Sequence, residues 1–167
     1  THVKLAGQAE IYIVNGAECE PLLKVDQQLA KKYARELVRG LELAMQSVGA
    51  REGIIAMKAK YGEAIENVTP FLKPNMRVHI LKDVYPAGDE VITIWMATGR
   101  RVPPAGLPKD VGVAVNNVLT LINLARAVDD GTPVTTRTLT VTGAVAHPVP
   151  VTVPIGVALR EVLAVAG

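Results

Sequence analysis

The sequence predicts an α/β fold, with a parallel sheet and helices on its faces, followed by the start of a smaller unit. The first observation is that apolar, strand-like runs alternate with segments of helical periodicity as far as residue 132, which is the order found in parallel sheets. The second is a change after Pro133, where residues 134–142 alternate apolar and polar side chains as a half-buried strand does. The length of 167 residues and a hydrophobic content of 49% allow a sizeable core.

The first predicted strand, residues 11–15, is the segment around which the rest of the chain is organised. Four apolar, strand-favouring residues run into Asn15-Gly16, where the strand ends. The following turn carries two acids, Glu18 and Glu20, and closes with a proline. Ligands of open α/β sheets bind beyond the carboxyl ends of the strands, so these carboxylates lie where a ligand is expected. The alternative interpretation is an ordinary strand-to-helix loop with solvated acids.

A long helix is predicted next, because apolar residues recur at intervals of three and four along one face. These residues are Leu29, Tyr33, Leu37, Leu41, Met45 and Val48. We expect Asp26 to be the N-cap of this helix and Gly49 to be its C-terminal stop. A second strand over residues 53–57 and a short helix over residues 63–68 follow.

The third strand, residues 77–81, leads into a polar loop. Residues 91–97 are helical by position, but their β-branched residues leave a strand open as an alternative. A loop with several prolines covers residues 99–108. The pattern then predicts a fourth strand over residues 110–115 and a helix over residues 118–128.

Two strands and a helix are predicted in the last part of the chain, over residues 134–142, 149–153 and 157–166. This order differs from the alternation that precedes it. We therefore expect one domain over residues 1–132 and the beginning of a second over residues 133–167.

Composition argues against several classes of function. A formal net charge of +2, with no long basic run, gives no indication of nucleic-acid binding. No apolar run approaches membrane-spanning length. The single cysteine, Cys19, cannot form an internal disulfide or ligate an iron–sulfur cluster alone, which favours a reducing, cytoplasmic location. The chain begins at Thr1 without an initiator methionine, so we expect a fragment of a longer protein.

Polar side chains cluster at three predicted strand ends, which share one edge in a parallel sheet. The clusters are Asn15, Glu18 and Glu20 after the first strand, Tyr85, Gly88, Asp89 and Glu90 after the third, and Asn116, Asn117 and Thr120 after the fourth. Three converging clusters indicate a site more strongly than any one of them. Asn117 has two open interpretations: it caps its helix and leaves the N-terminus open to a phosphate, or it is only a cap.

The acids of these clusters define the chemistry of the expected ligand. The carboxylates at positions 18, 20, 89 and 90 would repel a bare phosphate. They suit a ligand that needs hydrogen-bond acceptors, such as ribityl or ribose hydroxyls or a ring N–H. A site for Mg²⁺ or Ca²⁺ is the alternative use of four carboxylates, although their spacing matches no calcium loop.

Five motifs carry a resemblance to a known family. They are Asn-Gly-Ala-Glu-Cys-Glu-Pro at residues 15–21, Tyr-Pro-Ala-Gly-Asp-Glu at 85–90, Thr-Gly-Arg-Arg-Val-Pro-Pro at 98–104, Gly-Leu-Pro at 106–108 and Val-Asn-Asn-Val-Leu-Thr at 115–120. In order and spacing they resemble the Rossmann-like flavin domain shared by the C subunit of the Rnf complex and the NADH-oxidising subunit of respiratory complex I. The last part of the chain resembles the start of the soluble-ligand-binding β-grasp module that follows this domain. Two further stretches, Lys-Val-Asp-Gln-Gln-Leu at residues 24–29 and Ile-Trp-Met-Ala-Thr-Gly-Arg-Arg at 94–101, particularly resemble the cobalamin-reducing flavoproteins of propanediol-utilisation microcompartments.

The resemblance implies FMN as the bound cofactor and NADH as the hydride donor. It also implies that the three clusters and one lysine line the flavin pocket: Lys4, Asn15, Glu18, Glu20, Tyr85, Gly88, Asp89, Glu90, Asn116, Asn117 and Thr120. Glu18 and Glu20 would also face the nicotinamide nucleotide. FMN would take hydride and release single electrons to cobalamin or a cobalamin adenosyltransferase, with microcompartment proteins as partners. Iron–sulfur clusters would lie outside this chain.

The chain departs from the family pattern in two places. The family's glycine-rich, phosphate-cradling loop would precede Thr1, and residues 1–4 resemble its tail. Ala17 stands where complex I relatives carry an acid. Two alternatives remain open at this point: an Rnf-type electron-transport subunit, and a docking or scaffold module without bound flavin.

Overall fold

Four parallel strands form the central sheet of the computed structural model, which describes the backbone of residues 2–167 and the side chains of residues 4–167. Thr1, the first residue of the expected loop tail, lies outside this range. The strands are β1 (Ile11–Asn15), β2 (Glu52–Lys58), β3 (Met76–Leu81) and β4 (Val113–Asn117), in the spatial order β3-β2-β1-β4. The chain therefore moves outward from β1 to β3 and then crosses to the other side of β1. This reversal makes the gap between β1 and β4 the topological switch point, where such sheets bind ligands.

Helices cover both faces of the sheet, as the sequence predicts. They are α1 (His2–Leu5), α2 (Val25–Lys32), α3 (Ala34–Val48), α4 (Gly62–Val68), α5 (Glu90–Thr98) and α6 (Val118–Asp129). Tyr12 and Val14 of β1 face a core built with α2, α3, α4 and α6. Ile11 and Ile13 face the opposite core, which contains Ile94 of α5. This alternation follows from the two-residue repeat of a strand.

The pair α3 and α6 packs closely at Gly40. A Cβ atom at this position would lie 1.9 Å from the backbone oxygen of Leu121. Only glycine lets the two helix backbones approach to this distance. The pair closes over the middle of the sheet and so fixes the start of α6 beside the end of β4.

The prediction of one long helix from residue 26 to residue 48 is wrong in two respects. The chain breaks at Tyr33 into α2 and α3, because α2 packs against α4 whereas α3 packs against α6. Asp26 lies inside the first turn of α2 and is not its N-cap; the cap position is Lys24. Gly49 ends α3 in the left-handed conformation, as predicted.

Two other boundaries are settled by side-chain caps. The strand alternative for residues 91–97 is wrong, because the Asp89 carboxylate accepts hydrogen bonds from the backbone N–H groups of Val91 and Ile92 and starts α5. The fourth strand begins later than residue 110. Asp110 accepts a hydrogen bond from the Leu107 N–H (2.8 Å) and belongs to a 3₁₀ turn, Pro108–Val111.

The last part of the chain forms two strands and a helix, as predicted. Strands β5 (Thr136–Val141) and β6 (Val149–Pro154) pair antiparallel, and α7 (Leu159–Ala164) follows them. Its own small core contains Val141, Val162 and Ala166. Within residues 2–167, no helix has the length and apolar character needed to cross a membrane.

Candidate functional site

A cleft of about 610 Å³ opens at the carboxyl end of the sheet, over the switch point between β1 and β4. Its volume lies in the range of small-molecule and cofactor sites. The loop after β1, the start of α2, the loop between β3 and α5, the start of α6 and one strand of the terminal hairpin line it. Segments distant in sequence thus meet where the fold class places ligands.

Asn15 and Gly88 join two of the loops that form the cleft. The Asn15 side-chain amide donates a hydrogen bond to the Gly88 backbone oxygen (2.7 Å), and its oxygen accepts one from the Ala17 N–H (3.1 Å). The Gly88 N–H in turn donates to the sulfur of Cys19 (3.1 Å). A Cβ atom at Gly88 would lie 1.8 Å from the Ala17 backbone oxygen, so this contact requires glycine. Cys19, the single cysteine of the chain, is thus a hydrogen-bond acceptor at the cleft.

Glu18 brings a buried carboxylate to the wall of the cleft. Its side chain is only 9% exposed. One carboxylate oxygen, Oε1, accepts a hydrogen bond from the Asp26 N–H (3.1 Å). The other, Oε2, is buried and has no hydrogen-bond partner among the residues that the structure describes. Burying a carboxylate oxygen without a hydrogen bond costs free energy. A hydrogen-bond donor on a ligand would remove this cost.

Asp26 places a second carboxylate beside Glu18. Its Oδ2 accepts a hydrogen bond from the side-chain amide of Asn117 (2.7 Å). Burial, followed by the negative charge of Glu18, raises the pKa of Asp26 to about 6, although Asn117 and Arg137 act in the opposite direction. The sequence indicates Asp26 only as a helix cap. A single acid at the start of a helix carries no signal that it meets an asparagine 91 positions later.

Asn117 and Asp89 both act as helix caps at the cleft. The Asn117 side-chain oxygen accepts a hydrogen bond from the Leu119 N–H (2.9 Å) and caps α6. Because the amide nitrogen of the same side chain donates to Asp26, Asn117 is more than a cap. Asp89 uses one carboxylate oxygen, Oδ1, to cap α5. These two residues anchor the helices that border the cleft.

The structure brings together seven of the eleven predicted pocket residues. Those lining the cleft are Asn15, Glu18, Glu20, Tyr85, Gly88, Asp89 and Asn117. The other four, Lys4, Glu90, Asn116 and Thr120, are not in its lining. Lys4 donates to the Glu90 carboxylate (2.6 Å) and to the Val115 backbone oxygen (2.8 Å). The Asn116 amide donates to the hydroxyl of Tyr12, which places this amide against the sheet rather than in the cleft.

The terminal hairpin contributes a wall that the sequence did not predict. Residues 137–140 of β5 line the cleft. The positive charge of Arg137 acts on Asp26 across it, and the hydroxyl of Thr140 is buried without a hydrogen-bond partner among the described residues. Alternation of apolar and polar residues reveals that a strand is half-buried, but not what its polar face meets. The cleft is therefore shared by both predicted domains.

The alternative of a carboxylate metal site finds no support in the geometry. Across residues 4–167, no group of three or more histidine, cysteine, aspartate and glutamate side chains is arranged to hold a metal ion. Glu18 and Asp26 are adjacent, but the other acids of the predicted clusters do not join them: Asp89 caps a helix, Glu90 pairs with a lysine, and Glu20 is exposed.

A doubly wound parallel sheet with a polar cleft at its switch point defines a nucleotide- or flavin-binding α/β domain. The chain belongs to the Nuo51 FMN-binding domain family, whose sequence model matches residues 1–126. The expectation of a flavin domain of this family is thus confirmed.

Curated relatives and solved structures extend this result. The chain is 66% identical over 166 residues to cobalamin reductase PduS of Salmonella typhimurium, covering 99% of this chain and 37% of that protein. It is 39% identical over 170 residues to the C subunit of the Na⁺-translocating ferredoxin:NAD⁺ oxidoreductase complex of Acetobacterium woodii, covering 98% and 38% of the two chains. A crystal structure of an air-oxidised NAD⁺-reducing [NiFe]-hydrogenase is similar with a TM-score of 0.75 and 25% identity, covering 99% and 34%. The chain thus spans well under half the length of these curated relatives.

Two features of the cleft fit FMN as a ligand. The unpartnered Oε2 of Glu18 is an acceptor for a ribityl hydroxyl or a ring N–H. The absence of a side chain at Gly88 lets the loops after β1 and β3, which both line the cleft, close to contact distance. Both features follow from residues of this chain and do not depend on the relatives.

Proposed function

We propose that this chain is the FMN-binding part of a flavoprotein that oxidises NADH and passes the electrons to cobalamin. Membership of an FMN-binding family supports the cofactor. The 66% identity to a cobalamin reductase supports the acceptor, and the similarity to an NAD⁺-reducing hydrogenase supports the nucleotide. Within the chain, the proposal depends most on the buried, unpartnered Oε2 of Glu18.

The proposed division of work follows the chemistry of the side chains. FMN, when bound, supplies hydride acceptance and single-electron transfer. Glu18 accepts a hydrogen bond from the ligand, and Asn15 holds the loop that carries it. Glu20 and Tyr85 are exposed at the rim, where they would meet the nicotinamide nucleotide. The eleven predicted residues remain the proposed pocket. The four outside the cleft lining, which include the Lys4–Glu90 pair, would form its second side.

The same similarities support our proposals for the domain organisation, the iron–sulfur clusters and the location of the protein. We place the domain boundary between residues 132 and 133, with the terminal hairpin as the start of a β-grasp module. Iron–sulfur clusters would belong to other parts of the protein, since Cys19 is the only cysteine here. A cytoplasmic location inside a propanediol-utilisation microcompartment, with its enzymes as partners, fits the cobalamin acceptor.

The first experiment replaces Glu18 in the full-length protein. Glu18→Gln keeps the size of the side chain but removes the charge that Oε2 presents to a ligand. Because a hydrogen bond to a charged group contributes about 1.5–3 kcal/mol, we expect flavin affinity or NADH oxidation with a dye acceptor to fall at least about tenfold. Glu66→Gln, an exposed acid on α4, is the matched control and should leave both unchanged. Wild-type flavin content and turnover in Glu18→Gln would contradict the proposed site.

A second candidate is an Rnf-type electron-transport subunit, which the 39% identity to the ferredoxin:NAD⁺ oxidoreductase relative favours. The two candidates share the flavin cleft and differ in the acceptor. The full-length protein should reduce cobalamin with NADH if the first is correct. Electron exchange with a ferredoxin but not with cobalamin would favour the second. A full-length protein without flavin would instead favour the docking module.

A further inference from the structure

Lys58 is a buried cation behind the Glu18 loop. It is the last residue of β2, and only 6% of it is exposed. Its Nζ donates a hydrogen bond to the backbone oxygen of Glu18 (3.0 Å) and lies 3.4 Å from Oδ1 of Asp83. The first contact is with the loop after β1 and the second is with the loop after β3. One side chain thus connects two loops that form the cleft.

The burial of this lysine requires an explanation. Lysine is rarely buried completely, and a buried ammonium is costly unless it is paired and hydrogen-bonded. An apolar residue of similar length would fill the same space without that cost. The amino group therefore matters for its two contacts rather than for packing.

The Lys58 contacts complement the link between Asn15 and Gly88. The Asn15–Gly88 hydrogen bond joins the same two loops at the tip of β1, and Lys58 joins them again at the tip of β2. The Glu18 carboxylate itself has one protein hydrogen bond, from the Asp26 N–H. The orientation of this carboxylate depends on the position of the Glu18 backbone, and Lys58 binds that backbone at the carbonyl oxygen.

We propose that Lys58 is the positioning residue of the cleft. By holding the Glu18 carbonyl and the Asp83 carboxylate together, it fixes the two loops and with them the position of the Glu18 carboxylate in the wall of the cleft. This inference rests on the proposed function for the identity of the ligand, but the ordering of the loops can be tested without any ligand. In this role Lys58 contacts neither the flavin nor the substrate; it acts through Glu18.

Lys60 supplies a matched control. It lies two positions further along and pairs with the same Asp83 (3.0 Å), but it is about half exposed and has no hydrogen bond to Glu18 among the described contacts. Lys60→Met therefore removes a charge and an ion pair without touching the Glu18 loop. Asp83→Asn weakens one of the two Lys58 contacts, and Lys58→Arg retains the charge and the capacity to donate.

The experiment compares these variants in the full-length protein by amide hydrogen exchange and by flavin titration. In Lys58→Met, we expect faster exchange over residues 15–20 and 82–89, at least about tenfold weaker flavin binding, and a raised KM for NADH. Lys60→Met should retain wild-type exchange over residues 15–20, wild-type flavin affinity and the wild-type KM, because its ion pair is with Asp83 in the other loop. Lys58→Arg should restore most of the loss, and Asp83→Asn should show a smaller change because the bond to Glu18 remains.

The outcomes separate this inference from the proposed function. Wild-type exchange in the two loops of a folded Lys58→Met protein would overturn the positioning role, whether or not flavin binds. A second outcome is that the loops exchange more slowly in the wild type than in Lys58→Met while neither protein binds flavin. That result would support the positioning role of Lys58 and contradict the proposed flavin site. If Lys58→Met does not fold, the other two variants decide the question. The inference is overturned if Asp83→Asn has wild-type exchange and wild-type flavin affinity and Lys58→Arg does not recover folding.

Discussion

The two ends of the parallel sheet differ in how their acidic residues are paired. At the amino end, the Glu10 carboxylate lies 2.6 Å from Nη2 of Arg100, and Glu52 lies 2.7 Å from Nε of Arg77. The Arg100 guanidinium holds the pKa of Glu10 below its usual value. At the carboxyl end, Oε2 of Glu18 has no partner among the described residues, and burial together with nearby charge raises the pKa of Asp26 to about 6.

This difference separates charges that are paired within the fold from carboxylates in the lining of the cleft. The pairs at the amino end join neighbouring strands and loops, and they are complete without any ligand. The carboxyl end also contains complete pairs, such as Lys58 with Asp83, but these lie behind the cleft. Glu18, with its unpartnered oxygen, and Asp26, with its raised pKa, belong to the lining of the cleft. Perturbed groups of this kind are typical of functional sites. We therefore call the amino end the structural end and the carboxyl end, where we propose that the ligand binds, the binding end.

The largest effect we predict is that of Gly88→Ala, at the binding end. The new methyl group would meet the Ala17 oxygen at 1.8 Å and the Cys19 sulfur at 2.9 Å, so the two loops must separate. We expect a loss of about 3 kcal/mol or more in the free energy of unfolding, together with loss of flavin binding. Urea unfolding and flavin titration measure the two effects. Gly62→Ala, which meets no atom within 4 Å, is the control and should be neutral or slightly stabilising.

Removing the Asp26 charge should stabilise the protein at neutral pH. The pKa of Asp26 is raised from 3.8 to about 6, so the folded state binds this proton more tightly than the unfolded state. Stability is therefore lost as the pH rises from about 4 to about 6, and the loss is complete above that range. Asp26→Asn keeps an acceptor for Asn117 and should recover on the order of 2–3 kcal/mol at pH 8, but almost nothing at pH 4.

Urea unfolding of the wild type and Asp26→Asn at pH 4, 6 and 8 measures this dependence. The gain should appear between pH 4 and 6 and then level off. An equal gain at all three values would mean that packing, rather than charge, explains the effect. Glu66→Gln again serves as the exposed control and should show no change with pH. If this result holds, the cost of burying the Asp26 charge at the binding end becomes a measured quantity.

The sequence predicted the sheet and the edge that carries the site, because both depend on local patterns. An apolar run that stops at Asn15 marks the end of β1 wherever the rest of the chain lies. The same holds for Gly49, which ends α3. The order of four such elements then requires a parallel sheet with its strand ends together. The identity of the cofactor, by contrast, came from the resemblance of whole motifs and not from spacing or composition.

The contacts inside the cleft could not be predicted, because each joins residues far apart in sequence. Asp26 meets Asn117 across 91 positions and Lys58 meets Glu18 across 40. Residues 137–140 border the cleft only because the terminal hairpin lies over it. The break at Tyr33 has the same origin, since two helices that pack against different neighbours cannot stay collinear. These features depend on how elements are arranged, which local periodicity does not specify.

The smallest effect we predict is that of Glu10→Gln, at the structural end. Arg100 lowers the pKa of Glu10, so the pair stabilises the fold above the ordinary pKa of the carboxyl group, and this contribution is lost as the pH falls through the lowered value. The carboxylate is 67% exposed, and exposed pairs contribute little and are screened by salt. We expect a small decrease in Tm at pH 7 that disappears in concentrated salt and at low pH, with flavin binding unchanged. A large decrease that persists in salt, or any loss of flavin, would show that the amino end is not purely structural and would remove the contrast between the two ends of the sheet.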